Sequence, residues 1–192
     1  MPLINRREKL FLDFDGTLFD TAAFRDALFN LFMSLGYTKT EILQAYKDEC
    51  ADYKFSPLGM CSRLIRIKGT DLKEFSFGLQ GLYSKCHHYV YSDCEPFLRR
   101  LDRGRYEVNL LSLGDINFQK AKVDNSRISE YFDNLYYCDT KKSHFLAPIV
   151  SHDEYFVFID DRAENIDDIR DHFPNSLTLE INRQKPDLLD PT

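Results

Sequence analysis

Two spacings of apolar residues divide this chain. Leu10 to Phe14 is a short apolar run that enters Asp15-Gly16, and it reads as a buried strand ending in a turn. From Thr21 to Leu35 the apolar residues Phe24, Ala27, Leu28, Leu31, Phe32 and Leu35 recur at the i, i+3, i+4, i+7 interval of one helical face. Asp20 or Thr21 can cap that helix and Gly36 can end it. Thr38 and Glu41 have the spacing of a capping box for a second helix running to about Asp52. Ser56-Pro57 opens a third, which Gly69 closes, because proline is tolerated in a first helical turn. Thr70 opens a fourth, with Leu72, Phe75, Leu79, Leu82 and Tyr83 along one side. The stretch from about residue 20 to 90 is therefore expected to be all-helical.

Beyond it, short apolar runs alternate with helical patterns. Helices are predicted over Glu95–Leu101, Ile116–Ser126 and Ala163–His172, the last stopped by Phe173-Pro174, with a helix-like stretch over Ser143–Ile149. Strands are predicted over Glu107–Leu113, Leu135–Cys138, Tyr155–Ile159 and Leu177–Ile181. Strands alternating with helices imply an α/β fold, a parallel sheet with helices on both faces. The tail from Asn182 to Thr192 carries two prolines and is expected to fray. The organisation is one α/β domain interrupted early by a helical insertion.

Composition narrows the class. The 192 residues are 43% hydrophobic and 29% charged, enough apolar material for one core. The 16 phenylalanines and 11 tyrosines argue against disorder. A net charge of −6 makes nucleic acid an unexpected partner. No apolar run approaches the roughly 20 residues of a membrane-spanning helix. Met1 to Lys9 is polar and basic, and the apolar run behind it breaks at Asp13, unlike a secretory signal. Cys50, Cys61, Cys86, Cys94 and Cys138 are scattered, with no CxxC pair. That pattern suits a reduced, cytoplasmic protein better than a disulfide scaffold or a zinc site.

The candidate chemistry lies where strands end. In an open parallel sheet, ligands bind beyond the carboxyl ends of the strands. The predicted strands there run into Asp13-Phe14-Asp15-Gly16-Thr17, into Ser112-Leu113-Gly114-Asp115, and into Asp160-Asp161. Asp20 is best read as a helix cap, but Asp13 sits inside an apolar run, where an unpaired charge is costly. If these strands are neighbours, at least four carboxylates converge. Two carboxylates about 4 Å apart repel by roughly 4 kcal/mol at an effective dielectric of 20. A hard divalent cation removes that cost, and ligands that are all oxygen favour magnesium. A cation beside one free carboxylate outlines a phosphoryl-transfer site.

Phe11-Leu12-Asp13-Phe14-Asp15-Gly16-Thr17-Leu18 resembles the first motif of the haloacid dehalogenase-like (HAD) hydrolase superfamily, mostly magnesium-dependent phosphatases with a phospho-aspartate intermediate. Leu110-Leu111-Ser112-Leu113-Gly114 resembles the second motif and Val157-Phe158-Ile159-Asp160-Asp161 the fourth. The resemblance implies a Rossmann-like core over residues 1–19 and 90–192, with a small all-helical cap over residues 20–89. It implies that Asp13 is the nucleophile and a metal ligand. Asp15 is the general acid and then the base, with its backbone carbonyl on the metal. Gly16 permits the tight turn that lets backbone amides face the phosphate, and Ser112 holds the phosphate. Asp161 binds magnesium, with Asp160 in support. The third motif is one lysine, assigned to Lys142 with the adjacent Lys141 as the alternative; Lys120 and Lys122 lie mid-helix and are expected to be solvated. Asp160 stands where many members have glycine, and Asn165 where they have a second aspartate. Dehalogenases proper lack the acid two residues after the nucleophile, so Asp15 favours phosphate chemistry on a small phosphorylated metabolite. A phosphomutase or phosphotransferase using Asp13, and a non-catalytic binding or regulatory module, are the alternatives.

Caps of this kind exclude water and select small substrates. The insertion's aromatics are expected to form its own core. Arg63, Arg66, Lys68, His87 and His88 are candidate substrate contacts. His87-His88 is not expected to be a metal pair, since adjacent side chains point apart on a helix. The acidic run from Asp160 to Asp171 lacks the glycine of a calcium loop, and Arg99-Arg100 with Arg103 and Arg105 reads as a solvated face.

Overall fold

The structure is a computed structural model that describes residues 7–50, 55–69 and 71–183. Five strands, β1 (Glu8–Leu12), β2 (Tyr106–Leu113), β3 (Asn134–Cys138), β4 (Phe156–Asp160) and β5 (Leu177–Glu180), form one sheet in the order β3-β2-β1-β4-β5. Every pairing is parallel. The α/β reading therefore holds, and β1 lies between the two strands whose ends carry the other site motifs. Its Leu12 pairs with Leu110 on one side and Ile159 on the other.

Helices α1 (Thr21–Ser34), α2 (Lys39–Cys50), α3 (Pro57–Lys68) and α4 (Leu72–Tyr83) all lie between β1 and β2 in the chain. Their ends follow the capping chemistry. Asp20 accepts from the Ala23 amide, and Thr38 and Glu41 close a reciprocal box. Ser56 caps α3, and Gly69 ends it with a left-handed φ of 69°. Asp71, not Thr70, caps α4 through the Lys73 amide; Thr70 and the expected extension of α2 to Asp52 lie outside the described residues, as does most of the tail.

The later helices are α5 (Cys94–Arg100), α6 (Ile116–Asp124), α7 (Lys142–Leu146) and α8 (Ala163–His172). Boundaries shift from expectation by one to three residues. Asp160 belongs to β4 because its carbonyl accepts from the Ile181 amide and it pairs with Glu180. The helix expected over Ser143–Ile149 begins one residue earlier, at Lys142, and stops at Leu146. Short 3-10 turns at Cys86–Tyr89 and Ser129–Tyr131 have no counterpart in the apolar spacing.

Alternation along the strands makes two cores. Leu10, Leu12, Val108, Leu110 and Val157 face one side, with Phe118 and Val123 of α6 and the buried residues of α1–α4. Phe11, Leu111, Phe156 and Phe158 face the other, with Leu146 of α7 and Ile166 and Ile169 of α8. The inserted helices are knit by aromatics, with Phe32 stacked on Phe75 at 5.0 Å and Phe29 edge-on to Tyr46 at 5.3 Å. Arg63 pairs with Glu49 and Lys68 with Glu41 on the outer surface. His87 and His88 do not splay: within the tight 3-10 turn their ring centroids approach to 4.0 Å. Arg99, Arg103 and Arg105 pair with Glu95, Asp133 and Glu8 at the surface. Among the described residues no helix is long and apolar enough to cross a membrane, and all five cysteines are free thiols.

Phe75 is fully buried between the inserted helices, whereas Phe77 on the same helix is 81% exposed. Phe75→Ala is expected to cost about 3–5 kcal/mol and Phe77→Ala within about 0.5 kcal/mol, read by urea unfolding.

Candidate active site

Sheet register brings the strand-end acids together. The Asp13 amide donates to the Ile159 carbonyl at 2.9 Å, which sets Asp13 of the β1 end abreast of Asp160 on β4. Both follow the parity of Phe11 and Phe158, so both side chains fall on the α7–α8 side of the sheet. There α7 opens with Lys142. Its ammonium donates to Asp13 Oδ1 at 2.5 Å and Asp160 Oδ2 at 2.6 Å, and sits 5.5 Å from the centre of the Phe158 ring. The side chain is fully buried. Lys141 points outward and pairs with Asp168 at 3.6 Å, so of the two candidate lysines only Lys142 reaches the acids.

Asp160 is saturated. Beyond Lys142 it accepts from the Arg162 amide at 2.9 Å and from Asn165 Nδ2 at 3.0 Å to each oxygen. Asn165, which stands where a second aspartate was anticipated, thus orients Asp160. Carboxylate oxygens of Asp13, Asp160 and Asp161 lie within 4.8 Å of one another. Burial, with the charges of Asp160 and Asp15 adding and Lys142 opposing, pushes the Asp13 carboxyl up to about 8. Burial and the Asp160 charge push Asp161 up to about 6. Among the described residues, Asp161 Oδ1 and Ser112 Oγ are buried with no hydrogen-bond partner. Ser112 lies two residues beyond the Leu12–Leu110 pair, on the strand next to Asp13.

Asp15 lies past the turn, on the opposite side of the sheet. Gly16 makes that turn possible: its φ is 77°, and a Cβ there would fall 2.1 Å from Asp161 Oδ2. Its own amide is committed within the turn, to the Phe19 carbonyl at 2.9 Å. Thr21 Oγ1 donates to Asp15 at 2.7 Å.

Lys122 corrects the expectation of a solvated lysine. Its side chain is 1% exposed and ion-paired to Asp15. The ammonium lies 4.5 Å from the Phe118 ring centre and 5.3 Å from that of Phe19. Lys122 is four residues after Phe118 and so shares the buried face of α6, a spacing that could have revealed it. Lys120, by contrast, is exposed and pairs with Asp124. Burial works to raise the Asp15 carboxyl, but Lys122, Thr21 and Gln119 prevail and hold it below the usual range. Asp115 is a helix cap, accepting from the Phe118 amide, and stands apart from the acid cluster.

The residues present fit a hard cation. The donors are all oxygens, three carboxylates converge, and one of their oxygens, Asp161 Oδ1, is buried without a partner among the described residues. A cleft of about 460 Å³ reaches this cluster at Asp161 and is lined also by Gly16, Thr21, Arg25, Tyr91 and Arg183. None of the last three stood out in the sequence, because each reaches the cleft from a different part of the chain. None of the expected insertion contacts, from Arg63 to His88, lines this cleft.

A carboxyl whose folded pKa exceeds its unfolded value binds a proton on folding. In chelator, stability is therefore expected to fall as pH rises from about 4 to about 8, by up to about 1.4 kcal/mol per pH unit. Urea unfolding across this range reads the slope, which Asp13→Asn should flatten.

Solved structures with the same architecture carry one family description. A haloacid dehalogenase-like hydrolase from Burkholderia xenovorans aligns at 18% identity and a TM-score of 0.71, over 91% of this chain and 82% of that one. A HAD-hydrolase from Bacillus subtilis, bound to magnesium, aligns at 15% identity and a TM-score of 0.63, over 96% and 91%. The L-2-haloacid dehalogenase from Xanthobacter autotrophicus aligns at 19% identity and a TM-score of 0.63, over 94% and 79%. No protein-family model and no curated protein matches the sequence. With its parallel sheet in this strand order and its helical insertion after the first strand, the chain has the haloacid dehalogenase-like fold.

Proposed function

We propose that this protein is a magnesium-dependent phosphatase that hydrolyses a small phosphorylated metabolite through a phospho-aspartate at Asp13. The observation that carries this reading is the approach of Asp13, Asp160 and Asp161 to within 4.8 Å, with Lys142 bound into the same cluster. Asp13 and Asp161 side chains and the Asp15 carbonyl would hold the ion, with Asp160 supporting them. When bound, magnesium neutralises these acids and polarises the phosphoryl oxygens.

The chain's own groups supply the rest. An Asp13 oxygen attacks phosphorus as the ester bond breaks and the electron pair leaves on the ester oxygen; Asp15, ionised in the free protein, takes the proton that the substrate monoanion carries and passes it to that oxygen. Asp15 then removes a proton from a water whose oxygen attacks the same phosphorus. Phosphate departs and the Asp13 carboxylate is restored. Ser112 Oγ, buried and unpartnered, suits donation to a phosphoryl oxygen. Lys142 holds Asp13 in place and offsets charge on the phosphoryl group. Asp15 favours a phosphate monoester over a haloacid as substrate, because an alkoxide leaves with a proton and a halide leaves without one.

Aryl phosphate with magnesium should release free phosphate, and Asp13→Asn should lower that turnover at least about 10³-fold while circular dichroism stays native. Asp15→Asn should lower kcat/KM for an alkyl phosphate about 10²-fold more than for an aryl phosphate, whose oxygen leaves unprotonated. Magnesium should raise the melting temperature of the wild-type protein, and less that of Asp161→Asn. Wild-type protein inert towards a broad phosphate panel would instead mark a binding module, and transfer to an acceptor without phosphate release a mutase.

A further inference from the structure

Two arginines line the cleft beside the acids, and they differ in what they already hold. Arg183 is committed: its Nη1 donates to both Asp93 oxygens at 2.8 Å, its Nε to the Thr17 carbonyl at 3.0 Å, and its guanidinium stacks 4.4 Å over Tyr91. Arg25 is held loosely. The carboxylate paired with it is its chain neighbour Asp26 at 3.6 Å, and both side chains are substantially exposed. Among the described residues it also shares a side-chain hydrogen bond with Tyr46 and lies near Cys50, both neutral at pH 7.

Arg25 is also well placed. It lies four residues after Thr21 in α1, so the two share a helical face. Thr21 is itself hydrogen-bonded to Asp15, and Thr21 and Arg25 line the cleft with Asp161. A ligand with its phosphate at the acids therefore extends along α1 towards the Arg25 guanidinium. The volume of about 460 Å³ suits a small molecule rather than a macromolecular chain.

We propose that the substrate is a small phosphate monoester bearing a carboxylate, and that Arg25 receives the carboxylate. The proposal rests on the phosphatase reading and deepens it. A guanidinium fork matches the two oxygens of a carboxylate. One positive charge, ion-paired only with an exposed chain neighbour among the described residues, balances one carboxylate rather than a second phosphate dianion. Glu180, exposed and also lining the cleft, is the competing determinant and would prefer a cationic group.

Three two-carbon phosphates separate these outcomes: phosphoglycolate, ethyl phosphate and phosphoethanolamine. Wild-type kcat/KM should favour phosphoglycolate over ethyl phosphate by about 10- to 100-fold, the range expected of a charge-assisted hydrogen-bonded pair. Arg25→Gln should erase that preference and Arg25→Lys retain part of it. In the Asp13→Asn background, calorimetry with magnesium should show the same Arg25 dependence in phosphoglycolate affinity, independently of turnover. Aryl phosphate hydrolysis reports separately on the phosphatase reading. No preference for phosphoglycolate, a preference that survives Arg25→Gln, no measurable phosphoglycolate binding, or selection of phosphoethanolamine would each overturn the assignment.

Discussion

The buried ammonium of Lys142 is the contact on which the site depends. It bridges Asp13 and Asp160, which hydrogen bonding between the ends of β1 and β4 forces abreast of each other. Two carboxylates at that separation and burial repel by several kcal/mol unless a cation lies between them. Lys142 reaches them because α7 begins just after β3, over the face of the sheet to which both acids point. The compensation is incomplete. Burial above all, with the charges of Asp160 and Asp15 adding, still displaces the Asp13 carboxyl upward against the pull of Lys142.

A second lysine performs the complementary task on the other face. Lys122 reaches Asp15 from α6 through a ring of phenylalanines. The two neighbouring aspartates of one motif are thus held by different layers of the protein, and their affinities for protons are driven apart. Lys122 keeps Asp15 ionised in the free protein, so the proton it gives the leaving oxygen has to come with the substrate, while burial raises the Asp13 carboxyl.

The insertion meets this machinery through the first turn of α1. Asp20 fixes where that helix begins, Thr21 bonds Asp15, and Arg25 stands one turn further along the cleft. The aromatics behind this turn are occupied with one another and with the sheet core. What faces the cleft is consequently the polar edge of α1, and the tail beyond β5 also lines it through Arg183.

The sequence by itself determined the periodicities, and with them the α/β class, the helical character of the insertion and the caps of its first three helices. These are local properties, set by spacing along a few turns or by one side chain reaching a nearby amide. The acids at the strand ends were legible for the same reason, since Asp13 interrupts an apolar run and Asp160-Asp161 ends another. Which cations meet those acids was decided only by the tertiary structure. Lys122 and Lys142 are separated from their partners by 107 and 129 residues, and Lys141 differs from Lys142 by a single step of helix rotation. Arg25 and Arg183 converge on one cleft only because β1 and β4 are neighbours and β5 follows beside them. Contacts of that range depend on strand order and on which face each helix covers, and neither is written in the spacing of residues along the chain.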